Sequence, residues 1–516
     1  LDDFGTVKAR FVKMQGIERR RHETNGNTGY SIYEIEVYGP AWSDETFVNE
    51  YLDQLSVPSR MTQDTLLPIA DDDYGVNVSW ESDSDALTID AQGNVSVVRG
   101  EQEQKVTLKA IVTRNEAVAE KVYEVTIPSN QPADYSIYPV PASMKEKDGT
   151  LIPDQEVTLV MEDEVDDYTK QHIYRVLEEN GMSYSMAAEP DAEGTNVILG
   201  VADGEGAADD YFAEVDYDRS ISTDKSEGYV LDVDEEKHTI AVMGHENTGT
   251  SYGLDTLDQM LDQGEGELKE VLIEDAPETE FRGFIEGFYG EWTHENRMDL
   301  IRFCGENKMN TYIYGPKSDP YHTAQWRDPY PAEQLAQLAE LVETGKQHNV
   351  EVVWAAHVGG HIDMGSDADI QALMDKFDQL YDIGVRQFAV FFDDSSTDNT
   401  HLVDFLNTIQ HDYVDAKGDV KPLIMCPQYY NKNQGGVDYL RSLSQSDERI
   451  QIMWTGDNVV SEVNQSMIDY ITDLIGRPVY VWWNYPVNDL GRSHLLHMGP
   501  TEALQPGIEN MSGLVS

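Results

Sequence analysis

Two adjacent carboxylates, Asp393 and Asp394, follow a run of apolar residues and are the strongest indication of chemistry in this chain. Residues 387–394 read Gln-Phe-Ala-Val-Phe-Phe-Asp-Asp, which is typical of a buried strand that ends at two acids. Burial of an ionised carboxylate is costly unless it is paired, so such a pair is expected where perturbed protonation is used. The octapeptide alone favours a second interpretation, a strand end that meets solvent through an Asp-Asp-Ser-Ser turn.

The elements around the pair favour the functional interpretation. After residue 280, short apolar runs alternate with amphipathic helical patterns. Strands are predicted at 281–288, 311–317, 350–358, 387–394, 421–430, 450–456, 478–487 and 512–516, and helices at 294–308, 331–348 and 367–383. Eight strand-helix repeats predict a (β/α)8 TIM barrel, whose active site lies at the carboxyl ends of the strands. Asp393 and Asp394 lie at such an end.

Other strand ends carry groups that suit a sugar. Aromatic rings provide flat walls for the C–H faces of a sugar, and amides, hydroxyls and charged groups bind its hydroxyls. The residues at these ends are Lys317, His357, Tyr429, Tyr430, Thr455, Asp457, Trp482, Trp483, Asn484 and Asp489. The Trp-Trp-Asn run fits core packing with one surface amide equally well.

Five segments, taken together, resemble one enzyme family. They are 282–290 (RGFIEGFYG), 307–317 (NKMNTYIYGPK), 388–394 (FAVFFDD), 453–457 (MWTGD) and 482–487 (WWNYPV). In order and nearly without gaps, they are similar to glycoside hydrolase family 84, which contains the O-GlcNAcases and bacterial hyaluronidase-like β-N-acetylglucosaminidases. The resemblance implies a cofactor-free retaining exo-β-N-acetylglucosaminidase acting on terminal β-linked N-acetylglucosamine of glycoproteins or glycans.

The adjacency of the two aspartates points to a particular mechanism. The two carboxyl groups of ordinary retaining glycosidases lie about 5–5.5 Å apart, and those of inverting enzymes about 6.5–9.5 Å apart, across the scissile bond. Neighbours on one strand end are poorly placed to flank a sugar in this way, and they suit attack by the substrate's own acetamido oxygen. The resemblance implies that Asp393 orients the acetamido N–H and that Asp394 is the general acid and base, through an oxazoline intermediate.

The resemblance also implies a set of substrate-binding residues. The sugar hydroxyls are assigned to Gly287, Lys317, Asn484 and Asp489, the acetamido oxygen to Tyr430, the acetamido pocket to Trp482 and the pocket wall to Thr455. The family's usual Cys-Pro-Thr-Glu-Tyr-Asn reads Cys-Pro-Gln-Tyr-Tyr-Asn at 426–431, which keeps the tyrosine, so activity is expected. A further family Asn would follow directly after Ser516, so the barrel is expected to be incomplete at its carboxyl end.

Three segments precede the barrel, which is predicted at 279–516. Residues 1–40 resemble the carboxyl-terminal fragment of a discoidin-like carbohydrate-binding β-sandwich. Short alternating strands at 41–132 predict a seven-strand immunoglobulin-like spacer, and 133–278 read as a small α/β domain like the one that precedes the barrel in the same family. Because residue 1 is Leu and no leader pattern follows, any secretion signal is expected to be absent or removed.

The charge of the chain is strongly negative. There are 96 Asp and Glu against 36 Lys and Arg, a net charge of −60, while 40% hydrophobic residues favour folded domains. Repulsion on such a surface is tolerable where salt screens it, so a halophilic source is expected. The resemblance, with its accessory β domains, implies an extracellular or cell-surface location. Binding to nucleic acid is excluded by repulsion, and no apolar run is long enough to span a membrane.

Metal chemistry is not indicated. Cys304 and Cys426 lie in no metal-binding motif and are expected to be buried thiols. His357 and His361 have a helical spacing, but the Val-Gly-Gly between them predicts a loop.

Two hypotheses of different classes remain open. The first is the secreted exo-β-N-acetylglucosaminidase. The second is a non-catalytic glycan-binding or adhesion protein that retains the barrel as a lectin. Loss of Asp393, Asp394, Tyr430 or Lys317 would have favoured the second, and all four are present, so the first is preferred.

Overall fold

The structure, a computed structural model, describes 43–58, 61, 64–71, 74–100, 104–127, 135–204, 206–264, 266–287, 290, 292–485, 504–505 and 507–516, and two short strands before them. The described chain divides into two compact units, Leu1–Gln131 and Pro132–Ser516. The predicted discoidin-like fragment lies outside the described residues, apart from the backbone of an antiparallel pair, β1 (Arg20–Arg21) and β2 (Thr28–Gly29).

The first unit contains a seven-strand immunoglobulin-like fold, as predicted. After helix α1 (Asp44–Gln54) come β3 (Thr65–Leu66), β4 (Ala70–Asp71), β5 (Val76–Ser82), β6 (Leu87–Ile89), β7 (Asn94–Val97), β8 (Gln104–Arg114) and β9 (Ala117–Ile127). They form two antiparallel sheets, ordered β3-β7-β6 and β4-β5-β8-β9. Alternate residues of β8 are buried, as a strand with one face on a core requires.

Helix α1 differs from the sequence prediction, which placed only strands in this segment. Ser43 caps the helix by accepting a hydrogen bond from the Thr46 N–H at 3.1 Å. Val48, Tyr51 and Leu52 then follow at helical spacing and pack, as a buried cluster, on residues of β5 and β8.

The second unit begins with a mixed seven-stranded sheet. Its elements are β10 (Ser143–Leu151), β11 (Glu156–Met161), α2 (Asp167–Glu179), β12 (Ser183–Ala187), β13 (Asn196–Val201), α3 (Ala207–Ala213), α4 (Ser220–Thr223), β14 (Tyr229–Asp234), β15 (Thr239–Gly244), α5 (Asn247–Gly264) and β16 (Leu268–Asp275). The strand order is β10-β16-β14-β15-β13-β11-β12. Helices α2 and α5 share one apolar cluster with this sheet, and α3 belongs to a second cluster.

A closed barrel of eight parallel strands follows, which confirms the predicted TIM barrel. The strands are β17 (Phe281–Glu286), β18 (Thr311–Tyr314), β19 (Glu351–His357), β20 (Phe388–Phe391), β21 (Ile424–Cys426), β22 (Gln451–Trp454), β23 (Val479–Trp482) and β24 (Met511–Val515). The helices are α6 (His294–Glu306), α7 (Ala332–Gln347), α8 (Asp367–Tyr381), α9 (Leu402–Thr408), α10 (Val437–Ser442) and α11 (Gln465–Ile475), with a π-helix at Ile409–Asp415 and short 3-10 turns at Lys432–Gln434 and Leu443–Gln445. Strand β24 closes the barrel by pairing with both β23 and β17.

The barrel strands are shorter than predicted. Strand β20 ends at Phe391, so Asp393 and Asp394 belong to the loop after it rather than to the strand itself. The same holds for Lys317 after β18 and Tyr430 after β21. These four predicted site residues therefore lie on loops at the carboxyl end of the barrel.

The small α/β domain is fixed to the other end of the barrel by buried polar contacts. The Lys308 Nζ donates to the Tyr229 hydroxyl at 2.8 Å and to the Thr256 hydroxyl at 2.7 Å. Arg282 also pairs with Glu227 at 2.7 Å. Among the described residues, no helix combines the length and apolar character that crossing a membrane requires.

Candidate active site

The loops at the carboxyl end of the barrel bring four of the predicted residues into direct contact in two pairs. Lys317 contacts Asp393, and Tyr430 contacts Asp394, although each pair joins different strand ends of the barrel. Lys317 and Asp393 are 76 residues apart in the chain. Closure of the barrel therefore assembles these groups.

Asp393 lies in a buried, cationic environment. Its side chain accepts a hydrogen bond from Lys317 Nζ at 2.9 Å through Oδ2, and only 5% of the residue is exposed. Burial by itself raises the pKa of Asp393, but the neighbouring His357 ring and the positive charge of Lys317 outweigh it and hold that pKa well below its usual range. Asp393 is therefore an anion at neutral pH.

The second carboxylate oxygen of Asp393 is buried and incompletely satisfied. Oδ1 lies 3.4 Å from His357 Nε2, which makes its shorter contact, 2.9 Å, to the Asp393 backbone carbonyl. Within the described part of the chain, Oδ1 has no hydrogen-bond partner of good geometry. A buried acceptor without a donor is costly, so Oδ1 keeps an unused capacity to accept a hydrogen bond.

Asp394 has the opposite environment. It is exposed, and its Oδ1 accepts a hydrogen bond from the Tyr430 hydroxyl at 2.8 Å. Its backbone has φ 52°, a left-handed conformation that Asp tolerates better than most residues. Burial, followed by the hydrogen bond to Asp394, raises the pKa of Tyr430 above its usual value, so this hydroxyl stays protonated and can donate.

The turn that presents the two aspartates is held by its neighbours. The Phe392 N–H donates to the Cys426 carbonyl at 3.0 Å, which continues the pairing of β20 with β21 for one more residue. The Ser395 hydroxyl then donates to the Phe392 carbonyl at 2.6 Å and closes the turn. The carboxylates are thus presented by a turn anchored to the barrel wall.

An aromatic wall lies beside this turn. The ring of Trp482 packs against Phe391, with centroids 5.8 Å apart. Gly287 comes so close to Trp482 that a Cβ atom placed on it would lie 2.6 Å from the indole Cζ2. A glycine is required at this position because any side chain would displace the indole.

Thr455 and Asn484 support loops in this structure. The Thr455 hydroxyl donates to the Asn458 carbonyl at 2.8 Å, and its backbone N–H donates to the Tyr430 carbonyl at 2.9 Å. Asn484 Nδ2 donates to the Val459 carbonyl at 2.8 Å. The predicted sugar contacts of both residues stay predictions, and Asp489 lies outside the described residues.

Sequence reasoning missed the groups beneath the site. Glu286, directly before Gly287, is buried and forms two 2.8 Å hydrogen bonds with Arg297, and Tyr312 also donates to it. The only sequence signal was a carboxylate inside an apolar strand. His357 was noted at a strand end but given no role.

The described residues contain no group of three or more His, Cys, Asp or Glu side chains arranged to hold a metal ion. Both cysteines are buried thiols in this structure, as expected. Burial raises the pKa of Cys304 to about 12, which makes it unreactive at neutral pH.

Comparisons with known families agree with this architecture. Residues 282–516 match the family described as beta-N-acetylglucosaminidase, 134–276 match domain 2 of glycosyl hydrolase family 20, and 49–130 match an atrophied bacterial Ig domain. The protein O-GlcNAcases of Mus musculus and Rattus norvegicus are each 30% identical to this chain over 234 residues, which is 42% of this chain and 25% of theirs. The chain thus spans about a quarter of the length of these curated relatives.

Two solved structures are each similar to this chain over 74% of its length. CpGH84D has 36% sequence identity and a TM-score of 0.69, covering 74% of this chain and 65% of its own. CpGH84B has 33% identity and a TM-score of 0.67, covering 74% and 67%. With the family match over the barrel, these similarities show that this chain belongs to glycoside hydrolase family 84, a family of glycoside hydrolases.

Proposed function

We propose that this protein is a retaining exo-β-N-acetylglucosaminidase that removes terminal β-linked N-acetylglucosamine from glycoproteins or glycans by substrate-assisted catalysis. The environment of Asp393 carries this proposal. One oxygen of its carboxylate is held by Lys317, and the other is buried without a good donor, beside an exposed second carboxylate. The acetamido N–H of the sugar is a donor that would satisfy it.

The reaction follows from the two environments. Asp393, an anion, accepts the acetamido N–H and increases the nucleophilicity of the amide oxygen, which attacks the anomeric carbon. The glycosidic C–O bond breaks as Asp394 gives its proton to the departing oxygen, and the oxazoline forms in its N-protonated state, with the N–H still hydrogen-bonded to Asp393. Asp394 then takes a proton from water, which opens the oxazoline and restores the β configuration with the acetamido group intact.

The proposed division of roles agrees with the different environments of the two carboxylates. Two carboxylates with different environments take different protonation roles, and the one held by cations stays ionised. Asp393 has Lys317 and His357 beside it, whereas Asp394 is exposed and receives a hydrogen bond from Tyr430. Tyr430 can also turn its hydroxyl to the acetamido oxygen during attack.

The wall made by Trp482 and Gly287 supports a small, flat ligand beside the carboxylates. An indole face suits the apolar side of an acetamido-sugar, and the close approach of Gly287 leaves the ring fixed. The described relatives named O-GlcNAcase support N-acetylglucosamine as the sugar recognised.

We further propose that the protein works outside the cell at high salt. The support is the net charge of −60, since repulsion among so many carboxylates is relieved when salt screens it. The unfolding temperature is then expected to rise steeply between 0.1 and 2 M NaCl. A flat dependence would contradict this proposal and leave the catalytic one intact.

The catalytic proposal is tested by hydrolysis of 4-nitrophenyl β-N-acetylglucosaminide in molar salt. Wild type is compared with Asp393→Asn and Asp394→Asn, and with Asp438→Asn as a control, because Asp438 is a fully exposed carboxylate on α10. Both site variants are expected to lose activity, whereas the control keeps it. Azide is expected to restore part of the Asp394→Asn rate, since it needs no general base, and to leave Asp393→Asn unchanged.

Two results would overturn the proposal. Tight binding of N-acetylglucosamine by wild type without turnover would favour the lectin hypothesis. Release of an α-configured sugar, followed by NMR at early times, would exclude attack by the acetamido group because that route retains the β configuration.

A further inference from the structure

We propose that His357 is a positioning residue for the reaction, which fixes the orientation of the Asp393 carboxylate. This inference rests on the proposed function and adds to it a residue outside the predicted site. His357 is the last residue of β19, and its side chain is 15% exposed. Its Nε2 lies 2.9 Å from the Asp393 carbonyl and 3.4 Å from Oδ1 of the same residue.

The contact with the carbonyl defines which ring nitrogen of His357 carries a hydrogen. A backbone carbonyl only accepts hydrogen bonds, so the short contact requires a hydrogen on His357 Nε2. That hydrogen is donated to the main-chain carbonyl of Asp393, and the side-chain oxygen Oδ1 lies 3.4 Å from the same nitrogen. The ring therefore holds the peptide of Asp393 and lies beside its carboxylate.

His357 is itself held by the loop that carries Lys317. Its backbone N–H donates to the His322 carbonyl at 2.9 Å, and the two imidazole centroids are 6.0 Å apart. His322 contacts the Ala355 carbonyl through Nδ1, and burial lowers the pKa of His322 to about 4, so its ring is neutral. Strand β19 and the Lys317 loop thus form one frame.

Strand β19 and the Lys317 loop place one nitrogen group beside each carboxylate oxygen of Asp393. Lys317 holds Oδ2 directly, and His357 lies beside Oδ1 at a distance too long to satisfy it. Oδ1 is therefore oriented yet still able to accept a substrate N–H. Without the imidazole, only Lys317 would restrain the carboxylate, and its plane could turn away from the substrate.

The geometry of the ring allows a sharp test. A Gln side chain can place its amide nitrogen near the position of a histidine Nε2, whereas an Asn side chain reaches only the position of Nδ1. His357→Gln is therefore expected to keep activity within about threefold of wild type, and His357→Asn and His357→Ala are expected to lose about 10–100-fold in kcat with a smaller change in KM. His411→Gln is the control, since His411 pairs with Asp447 at 2.9 Å on the surface.

A pH profile separates positioning from simple loss of stability. The groups that face the His357 ring are Asp393, His322 and, through the shared carboxylate, Lys317. Removal of His357 takes away one cause of the depressed pKa of Asp393, so the acid limb of kcat/KM is expected to move to higher pH in His357→Ala and to return in His357→Gln. A merely structural role would lower activity at all pH values alike.

The binding of an intermediate-like inhibitor compares the same His357 variants without turnover. Affinity for a thiazoline analogue of the oxazoline, measured by calorimetry, is expected to fall in His357→Ala and His357→Asn and to be kept in His357→Gln. If wild type is active and His357→Ala has the same kcat and the same affinity for the analogue, this inference is overturned and the proposed function is not. A wild type that binds the analogue but never hydrolyses substrate would overturn the proposed function, and the affinities would still decide the role of His357.

Discussion

The hydrogen bond from Tyr430 to Asp394 is expected to support catalysis rather than stability, and Tyr430→Phe tests this. The substitution removes one hydroxyl and keeps the ring, which is only 8% exposed. The lost contact is the 2.8 Å bond to Asp394 Oδ1. Because Asp394 is exposed, water can replace the hydroxyl in the resting protein, so the free energy of unfolding is expected to change by less than about 1 kcal/mol.

The effect on rate is larger because water is displaced when the sugar binds. A hydrogen bond to a charged group contributes about 1.5–3 kcal/mol, and each 1.4 kcal/mol is about tenfold in rate. The Tyr430→Phe variant is therefore expected to lose about 10–150-fold in kcat/KM. The assay is hydrolysis of aryl β-N-acetylglucosaminides with good and poor leaving groups, together with urea denaturation of each variant.

Tyr439→Phe provides a matched control on helix α10, which follows the loop that carries Tyr430. The Tyr439 hydroxyl accepts the Gln428 N–H at 3.1 Å and does not contact either aspartate. Its removal leaves a backbone donor unsatisfied, so a stability loss of about 1–3 kcal/mol is expected, with activity nearly unchanged. Equal activity losses in the two variants, or a Tyr430→Phe variant as active as wild type, would refute the reasoning.

Three further predictions concern the support of the site. Arg297→Met leaves the buried Glu286 carboxylate without its cation, so the free energy of unfolding is expected to fall by about 3–5 kcal/mol in urea titrations. Gly287→Ala pushes the Trp482 indole, and KM is expected to rise about tenfold or more with little change in the urea midpoint. The depressed pKa of Asp393 stabilises the folded state at pH values above about 3.9, the pKa of an unfolded Asp, and this stabilisation is lost as pH falls below that value. The difference in free energy of unfolding between wild type and Asp393→Asn is therefore expected to be smaller at pH 3 than at pH 5 and 7, as measured by denaturation.

The barrel was predictable because its strands are buried on both faces and read as continuous apolar runs. Strand β20, Phe-Ala-Val-Phe, is fully buried. The helix before it, α8, instead buries apolar residues at the 3.6-residue spacing of an amphipathic helix. The strand ends were predicted less well: the strand predicted at 311–317 ran past Gly315-Pro316, a dipeptide that marks a turn, and β18 ends just before it. Helix α1 was missed because its short apolar stripe precedes a region dominated by strand patterns.

The contacts within the site could not be predicted from spacing. Lys317 reaches Asp393 only because β18 and β20 are two positions apart in a closed barrel, with β19 between them. His357 fills that intermediate position and contacts the same residue. For Thr455, the sequence suggested a contact with ligand that this structure does not show. Its hydroxyl donates instead to carbonyl groups of the chain itself.

The different environments of the two aspartates trace to the backbone between them. Adjacent side chains on an extended chain point to opposite sides, so a pair that continued β20 would place one acid in the barrel interior and the other against the outer helices. The left-handed conformation of Asp394, φ 52°, breaks that alternation and turns its carboxylate toward solvent and Tyr430. Asp393 remains on the interior side, beside Lys317 and His357. One backbone torsion thus separates a buried carboxylate from an exposed one across a single peptide bond, and this arrangement suits the proposed attack by the acetamido group.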